Sequence, residues 1–303
     1  MGKSMSLRSA LPEHLQAALV AGAALKQSGY RGRFAPTPSG PLHLGNLRTA
    51  LVSWLLAREA GGAWLLRIDD LDTPRVRPGA IKSVLEDLRW LGLDWDAPVL
   101  RQSERRGLYN SVLSHLRRCG QLYACRCSRR DLAQAVIYPG TCRQRQLSWG
   151  WQAERLPAWR LRLDNAAAFD CGDVVVRRAD GFIAYHLATA VDELTCGITT
   201  VVRGADLAPV RSAQVAVMAA LGQPAPQYSH VPLLCDAAGQ KLAKREGSEG
   251  LAPWRERQRR PEEVVGHLAA QLQLVPETSV LSARDLLQEF KGSGRALAAL
   301  LQP

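Results

Sequence analysis

Residues 33–46 read RFAPTPSGPLHLGN and lead directly into the apolar run Leu47 to Ala57. This stretch predicts a strand end, a rigid turn and a helix start, because its prolines fix φ while Gly40 leaves the chain free to bend. His43 falls in the first turn of the predicted helix, where backbone amides have no partners within the helix. Such a terminus binds phosphate readily. A satisfied histidine in an ordinary strand–helix loop is the alternative interpretation.

The residues that follow complete a β-α-β unit. A helix is predicted from about Leu44 to Ala60, where Gly61 and Gly62 end it. Ala63 to Ile68 is the next predicted strand, and the acidic residues 69, 70 and 72 follow it directly. Such a unit implies a parallel sheet with a right-handed crossover. Ligands of open α/β sheets bind beyond the carboxyl ends of the strands, so the turn and the acidic residues are expected at one site.

The rest of the chain is predicted as helices around a less regular middle. Residues 120–160 lack clean periodicity and predict an insertion with a small core of its own. Further helices are predicted from Pro78 at position N1 to about Leu91, from about Glu104 to Cys119, after residue 206 to about Leu221, from Ala283 to Phe290 with Ser282 as N-cap, and from Gly294 to Leu301. Further strands are predicted at Trp159 to Leu163, Asp173 to Arg177, Phe182 to Tyr185, Thr199 to Val202 and Tyr228 to Leu234.

Charge is the unusual feature of the composition. The 303 residues include 39 Lys and Arg against 28 Asp and Glu, a net charge of +11. A polyanionic partner is one explanation, and arginine enrichment in a GC-rich genome is the other. The chain has no apolar run of the roughly 18 residues that a membrane span requires. Residues 1–30 are expected to be an appended amphipathic helix or a mobile tail.

The seven cysteines are an odd number and are spread unevenly, which indicates a reducing, cytoplasmic setting and no disulfide framework. Cys125, Cys127, Tyr138 and Cys142 form a C-x-C pair followed by Y-x3-C. This is an uncommon spacing for zinc, although reduced cysteines close together are typical zinc ligands. The remaining cysteines, 119, 171, 196 and 235, are interpreted as core or incidental residues.

Two separated motifs resemble the signatures of class I aminoacyl-tRNA synthetases. His43 to Asn46 resembles the HIGH motif, and Lys241 to Arg245, KLAKR, resembles the KMSKS motif. The stretches 33–51, LLRIDDLD (65–72), LGLDWD (91–96) and VVRGADL (201–207) are similar to the glutamyl-tRNA synthetase subfamily. The resemblance covers about residues 31–245.

The resemblance implies an α/β fold of the Rossmann type with a parallel sheet, an inserted zinc-containing domain and a short helical C-terminal region. It implies an N-terminal extension at 1–30, a catalytic domain at 31–119 and 196–246, an inserted subdomain at 120–195, and a helical region at 247–303. A truncated branch of the subfamily carries a structural zinc site of the same Cys, Cys, Tyr, Cys composition, which assigns residues 125, 127, 138 and 142 as ligands of one Zn²⁺.

The resemblance also implies roles for single residues. Asp69 stands where the family usually has glutamate, which changes the geometry around the substrate ammonium group. Catalytic roles are implied for His43, Lys241 and Lys244, ATP contacts for His43, Gly45, Asn46 and Lys244, and glutamate contacts for Arg33, Phe34, Ala35, Pro36, Thr37, Asp69, Tyr185 and Arg203. Activation of a carboxylate by ATP with Mg²⁺ needs positioning and positive charge more than a nucleophile.

The 57 residues from 247 to 303 are too few for the large anticodon-binding domains of full-length family members. The chain therefore resembles the truncated branch, the glutamyl-queuosine tRNA(Asp) synthetases. Their reaction activates L-glutamate without tRNA and transfers it to the queuosine base in the anticodon of tRNA(Asp). We expect a cytoplasmic monomer with these partners and no membrane contact. The alternatives are a non-catalytic tRNA-binding paralogue, a small-metabolite adenylyltransferase and a conventional synthetase charging the tRNA 3′ end.

Overall fold

The computed structural model describes residues 10–128, 130–133, 135–164, 169–232, 250–293 and 301. The chain folds into two compact units. We call Ser28–Gln102, Ile198–Ala208 and Pro226–Pro303 the parallel-sheet unit, and Met1–Gln27, Ser103–Gly197 and Pro209–Ala225 the antiparallel unit. The domain boundaries implied by the resemblance stay a prediction.

The described elements are nine helices and eight strands. The helices are α1 (Glu13–Gln27), α2 (Leu44–Glu59), α3 (Ala80–Trp90), α4 (Arg106–Arg118), α5 (Tyr185–Thr195), α6 (Arg211–Ala220), α7 (Ala252–Glu256), α8 (Pro261–Ala270) and α9 (Ala283–Ser293). The strands are β1 (Arg31–Phe34), β2 (Ala63–Ile68), β3 (Leu100–Arg101), β4 (Leu122–Cys125), β5 (Ala158–Leu161), β6 (Val174–Arg177), β7 (Thr200–Gly204) and β8 (Gln227–Val231).

The parallel-sheet unit contains the predicted β-α-β unit. Strand β1 pairs in parallel with β2, and β2 with β3. Strands β7 and β8 form a second parallel pair. The Thr199 amide donates to the Arg31 carbonyl over 3.0 Å, and the Arg33 guanidinium donates to the Val202 carbonyl over 3.0 Å. Strand β7 therefore lies beside β1 and runs in the same direction, so the carboxyl ends of β1, β2, β7 and β8 share one edge.

Helix α2 is buried on almost every side. The sequence spacing of Leu47, Leu51 and Leu55 gives one apolar face, and all three are buried. Val52 and Ser53, on other faces, are equally inaccessible. The reason is that α2 packs on the sheet and also against the C-terminal helices, since one core joins its residues to side chains of β2, α8 and α9. Because side chains on several faces of α2 are buried, the spacing of one apolar face accounts for only part of its packing.

Two predicted elements differ from the structure. Pro78 does not occupy position N1 of α3, because Gly79, with φ of +75°, is the N-cap and the helix begins at Ala80. Residues 182–185 do not form a strand: a single bridge joins Ile183 to Arg177, and helix α5 begins at Tyr185. The apolar run there serves a buried helix whose Leu187, Ala190 and Val191 face the core, and a short apolar run fits either type of element.

The antiparallel unit is built on the sheet β4-β5-β6. Helix α1, one of the two forms expected for the N-terminal segment, packs on α5 through Gly22. A Cβ added at Gly22 would lie 2.0 Å from the Leu194 carbonyl oxygen. Only glycine therefore allows the two helices to approach so closely.

The predicted helix at Ala283 to Phe290 is confirmed as α9, which extends to Ser293. Ser282 caps α9, since its hydroxyl accepts from the Asp285 amide over 3.1 Å and the Asp285 carboxylate accepts from the Ser282 amide over 3.1 Å. The Lys241 to Arg245 segment and the helix predicted at Gly294 to Leu301, except for residue 301, lie outside the described residues. Among the helices that the structure describes, none has the length and apolar character needed to cross a membrane.

Replacing Gly22 by alanine is expected to destabilise the antiparallel unit by about 1 to 3 kcal/mol, the usual cost of overpacking a tight contact. Gly107→Ala, in α4, is the matched control, because an added Cβ meets no atom within 4 Å there. Alanine's higher helix propensity should make that change neutral or stabilising by up to about 1 kcal/mol. Thermal unfolding measures the stability of both variants, and equal melting temperatures for the two would contradict the close α1–α5 contact.

Candidate active site and cysteine cluster

The turn after β1 is tied to the segment after β2 by backbone hydrogen bonds. The Asp69 amide donates to the Pro36 carbonyl over 3.0 Å, and the Arg77 amide donates to the Pro38 carbonyl over 2.9 Å. Since prolines supply only acceptors here, the carbonyl groups of Pro36 and Pro38 hold the turn. Residues 35–37 and Asp69 therefore lie side by side at the strand ends.

His43 is the N-cap of α2, with extended backbone angles (φ −86°, ψ 162°). Its Nδ1 accepts from the Asn46 amide over 3.2 Å, and the Asn46 side chain accepts from the His43 amide over 3.4 Å. This reciprocal pair is a capping box formed by residue types that rarely make one. A Cβ at Gly45 would lie 3.0 Å from the His43 Nδ1, so the glycine leaves room for the imidazole at the helix end.

Two of the predicted glutamate contacts are buried arginines. Arg33 is 4% exposed and Arg203 is 3% exposed. Arg203 directs its Nε toward the Nε2 of His230 at 3.3 Å, and its guanidinium lies 4.8 Å from the centre of the Tyr228 ring. Guanidinium groups held in this way present a fixed positive charge to an anion at the strand ends.

Asp69 is buried and forms an ion pair with Arg67. The Arg67 Nε lies 2.7 Å from Asp69 Oδ1, and its Nη2 lies 3.3 Å from Oδ2. A fork-shaped contact of this kind fixes the plane of the carboxylate. Arg67 was not predicted from the sequence, where it reads as one more residue of a strand. Its proximity to Asp69 in the chain, two residues away, is the only signal that could have identified it.

Sequence reasoning also missed Arg48 and His230, both of which are buried at this edge. The Arg48 guanidinium donates to the Pro232 carbonyl, just after β8. Among the described residues at this edge, the buried charged side chains are arginines 33, 48, 67 and 203 and aspartates 69 and 70. Positive charge is therefore in excess at the strand ends, which favours an anionic ligand.

Four other predicted site residues are a core residue, a residue of the antiparallel unit and two residues outside the described chain. The Phe34 side chain is in the core, stacked on Trp64 with ring centres 6.3 Å apart, so only its backbone faces the strand ends. Tyr185 opens α5 in the antiparallel unit and is 37% exposed. Lys241 and Lys244 fall in the segment 233–249, outside the described residues.

A groove of about 530 Å³ lies on the parallel-sheet unit, along α3. Its lining includes Arg77, Lys82, Arg89 and Arg101, with Glu86 as the acidic member. All four cationic residues are exposed. Clustered basic side chains on one face are the electrostatic feature by which proteins hold phosphate backbones.

The cysteine cluster of the antiparallel unit has the dimensions of a tetrahedral metal site. The sulfur atoms of Cys125, Cys127 and Cys142 all lie within 4.8 Å of one another. Cys127 and Cys142 Sγ are 3.6 Å apart, and Cys125 Sγ is 3.5 Å from the Tyr138 hydroxyl. Zinc–sulfur bonds of about 2.3 Å in a tetrahedron place sulfurs about 3.8 Å apart, whereas a disulfide bond is about 2.05 Å long. The four predicted ligands are thus brought together.

The titration behaviour of the cluster follows from burial and close packing. Burial raises the pKa of the Cys127 thiol to about 11, and the neighbouring Cys142 and Cys125 thiols add to that shift. Burial also opposes ionisation of Cys125, but its hydrogen bonds with Tyr138 and the Cys127 amide and its approach to Arg160 leave its pKa lowered. Burial and the Cys125 thiol raise the pKa of Tyr138. A bound cation is the charge that would favour the ionised forms of all these groups.

Comparisons with known proteins identify the class of the fold. The family described as tRNA synthetases class I (E and Q), catalytic domain, matches residues 30–136 and 160–269. The crystal structure of a glutamate tRNA ligase from Elizabethkingia meningosepticum superposes with a TM-score of 0.70 at 26% identity. That alignment covers 86% of this chain and 64% of the other, so the chain spans less than two thirds of that protein. The fold is that of a class I tRNA synthetase, a ligase.

Relatives that align over nearly the whole chain specify the family within this class. A protein of Synechococcus sp. (strain CC9605) named Glutamyl-Q tRNA(Asp) synthetase is 62% identical over 282 residues, which are 93% of this chain and 96% of the relative. A protein of the same name from Prochlorococcus marinus (strain MIT 9313) is 57% identical over 99% of this chain and 100% of its own length. The chain belongs to the glutamyl-Q tRNA(Asp) synthetase family.

Two substitutions test whether the His43 side chain stabilises the start of α2 as a cap. His43→Ala removes the side-chain acceptor of the Asn46 amide and should lower the free energy of unfolding by about 1 kcal/mol. His43→Asn supplies a preferred N-cap side chain, so its stability should remain close to that of the wild type. Denaturant unfolding measures the difference, and an equal loss in both variants would contradict the cap.

Proposed function

We propose that the protein activates L-glutamate with ATP to form glutamyl-adenylate without tRNA, and then transfers the glutamyl group to the queuosine base in the anticodon of tRNA(Asp). The observation that carries the proposal is the 62% identity to a Glutamyl-Q tRNA(Asp) synthetase over nearly the whole of both chains. The buried charges at the strand ends support it, because they suit a ligand with two carboxylates and one ammonium group. The reaction is proposed to take place in the cytoplasm.

Glutamate would be held mainly by charge. Arg33 and Arg203 are proposed to meet its carboxylates, and Asp69 its ammonium group. The backbone of residues 34–36 and the Thr37 hydroxyl would line the pocket. Asp69 is one methylene shorter than glutamate, and its pairing with Arg67 at 2.7 Å holds it in one orientation. We propose that the ammonium group of glutamate binds closer to the Asp69 carboxylate, or contacts it through a water molecule, because Asp69 does not extend toward the substrate.

Adenylate formation requires the substrate carboxylate to attack the α-phosphorus of ATP, with pyrophosphate leaving. His43, Gly45 and Asn46 are proposed to contact ATP at the start of α2, where the helix dipole favours phosphate. Lys241 and Lys244 are proposed to neutralise charge on the α-phosphate and the departing pyrophosphate, assisted by Mg²⁺. No side chain needs to act as a nucleophile.

Transfer then needs only a hydroxyl group of queuosine as the nucleophile. Its oxygen attacks the glutamyl carbonyl carbon, an ester forms, and AMP leaves. The net charge of +11 and the basic groove along α3 favour the polyanionic acceptor, since phosphate contacts position an RNA whose bases carry the specificity.

We further propose that Cys125, Cys127, Tyr138 and Cys142 hold one zinc ion. Four protein ligands leave no open position, so the ion would stabilise the fold around β4 and take no part in the reaction.

The function is tested with radiolabelled glutamate, ATP and tRNA(Asp) that lacks its 3′-terminal adenosine, prepared with and without queuosine. Label is expected only on the tRNA that contains queuosine. Removal of the terminal adenosine excludes charging at the 3′ end. Equal labelling of both tRNAs, or of neither, would contradict the proposed acceptor.

The activation step has its own assay, exchange between ATP and pyrophosphate that depends on glutamate and needs no tRNA. Lys244→Ala is expected to slow this exchange by about 100-fold, as for loss of a charged group that stabilises a transition state. Rapid exchange in this variant would remove Lys244 from the proposed mechanism, and exchange that ignores glutamate would contradict the assigned amino acid.

The zinc proposal predicts about one zinc ion per purified chain by elemental analysis. Cys142→Ser should lower that content and the melting temperature, because it removes one of the buried ligand sulfurs. Cys119→Ser is the matched control: its sulfur lies by the imidazole of His115, 3.7 Å from Nε2, and not in the cluster. Full zinc content in the Cys142 variant would exclude this site.

A further inference from the structure

Trp151 lies in a loop of the antiparallel unit, and its side chain is 71% exposed. A tryptophan with so much of its ring in water is unusual for a protein surface, where large aromatic groups tend to be covered. The family match leaves out residues 137–159, which contain this loop. The general catalytic domain of the class therefore does not account for Trp151.

The loop around Trp151 is held firmly by Arg126. The Arg126 guanidinium donates to four carbonyl groups of the loop: those of Gln152 and Arg155 at 3.2 Å, of Ser148 at 3.2 Å and of Gly150 at 2.7 Å. The Arg155 guanidinium in turn donates to the Arg126 carbonyl. Trp151 is thus exposed on a backbone that is fixed on both sides of it.

A strained turn follows Trp151 directly. Ala153 and Glu154 have φ values of 49° and 58°, in the left-handed region that residues with a Cβ rarely occupy. The two residues form the tip of a tight hairpin in which the amides of Gln152 and Arg155 donate to each other's carbonyls over 3.1 and 3.3 Å. Strain of this kind persists where surrounding contacts impose it, and it is found most often at functional sites.

The base of the loop is anchored by a second tryptophan. Trp149 meets Trp159 edge to face with ring centres 5.0 Å apart. The Arg117 guanidinium lies 4.2 Å from the centre of the Trp149 ring. Trp149 is consequently held in the unit, while Trp151, two residues further on, faces solvent.

The stretch of sequence that contains Trp151 is strongly basic. Residues 120–165 include eight arginines and three acidic residues, a net charge of +5. An exposed aromatic ring among arginines is how proteins hold single-stranded nucleic acid: the charges attract the phosphate backbone, and the ring stacks on a base. A protein partner of matching apolar character is less well suited to so much positive charge.

We propose that Trp151 is a platform on which an unpaired base of the tRNA anticodon loop stacks. The inference rests on the proposed function, which supplies an anticodon loop as substrate. The rigid loop holds the ring ready, so that little conformational entropy is lost when the base binds. Trp151 acts in RNA binding and not in glutamate activation.

The test compares Trp151→Phe, which keeps an aromatic face, with Trp151→Leu, which keeps apolar bulk, and Trp151→Ala. Binding of queuosine-containing tRNA(Asp) is measured by filter retention, and glutamyl transfer by label incorporation. The alanine and leucine variants should bind about 10-fold more weakly and show a raised KM for tRNA, whereas the phenylalanine variant should remain within about threefold of the wild type. Glutamate-dependent ATP–pyrophosphate exchange should be unchanged in all three.

The outcomes separate the two proposals. If the wild type labels the tRNA and all three variants bind it as tightly, the stacking proposal is wrong while the proposed function stands. If leucine substitutes as well as phenylalanine, the contact is apolar and not stacking. A change in molar mass by light scattering with unaltered tRNA affinity would assign Trp151 to a contact between protein chains instead. If the wild type labels no tRNA, the proposed function fails and the stacking proposal with it.

Discussion

The packing of α2 is the constraint on which the parallel-sheet unit depends. Leu47, Leu51 and Leu55 contribute to one core together with β1, β2, α8 and α9, and Val52 packs with Val202 and Val231 of the neighbouring strands. A helix enclosed in this way cannot slide or rotate without opening a close-packed interior. Its first turn, with His43 as cap, is therefore fixed relative to the carboxyl ends of β1 and β2. The position of the candidate site is a consequence of core packing.

Burial of charge is the second constraint, and it works against folding unless the charges have suitable neighbours. The parallel-sheet unit satisfies part of this requirement with its own groups: Arg33 donates to the Val202 carbonyl, Arg67 pairs with Asp69, and Arg203 contacts His230. The contacts of Arg33 and Arg203 also join β1 to β7 and β7 to β8. Under the proposed function, a bound dicarboxylate would add to this compensation, so substrate binding and stability of the sheet edge would be coupled.

The sequence was most informative where local chemistry and tertiary structure agree. Prolines and the apolar run after them predicted the strand end, the turn and α2, and the observed bounds of α2 differ from the predicted ones by a single residue at the C-terminal end. Prediction was wrong at Phe182 to Tyr185, because a short apolar run does not distinguish a strand from the start of a buried helix such as α5. It also missed Arg67 and His230, since nothing in a strand's alternation shows that a charged side chain will be buried with a partner from another segment.

Arg126 connects the cysteine cluster to the tryptophan loop. Its neighbours in the chain, Cys125 and Cys127, belong to the cluster. The contacts that hold their two sulfur atoms therefore also hold the backbone at residue 126. Its guanidinium reaches four carbonyl groups on either side of Trp151. The Arg126 side chain thus ties the position of the loop to that of the cysteine cluster. A metal ion would hold the sulfurs more rigidly than hydrogen bonds between thiols. Under the zinc and stacking proposals, the zinc site would therefore also determine how precisely the Trp151 ring is oriented for a base.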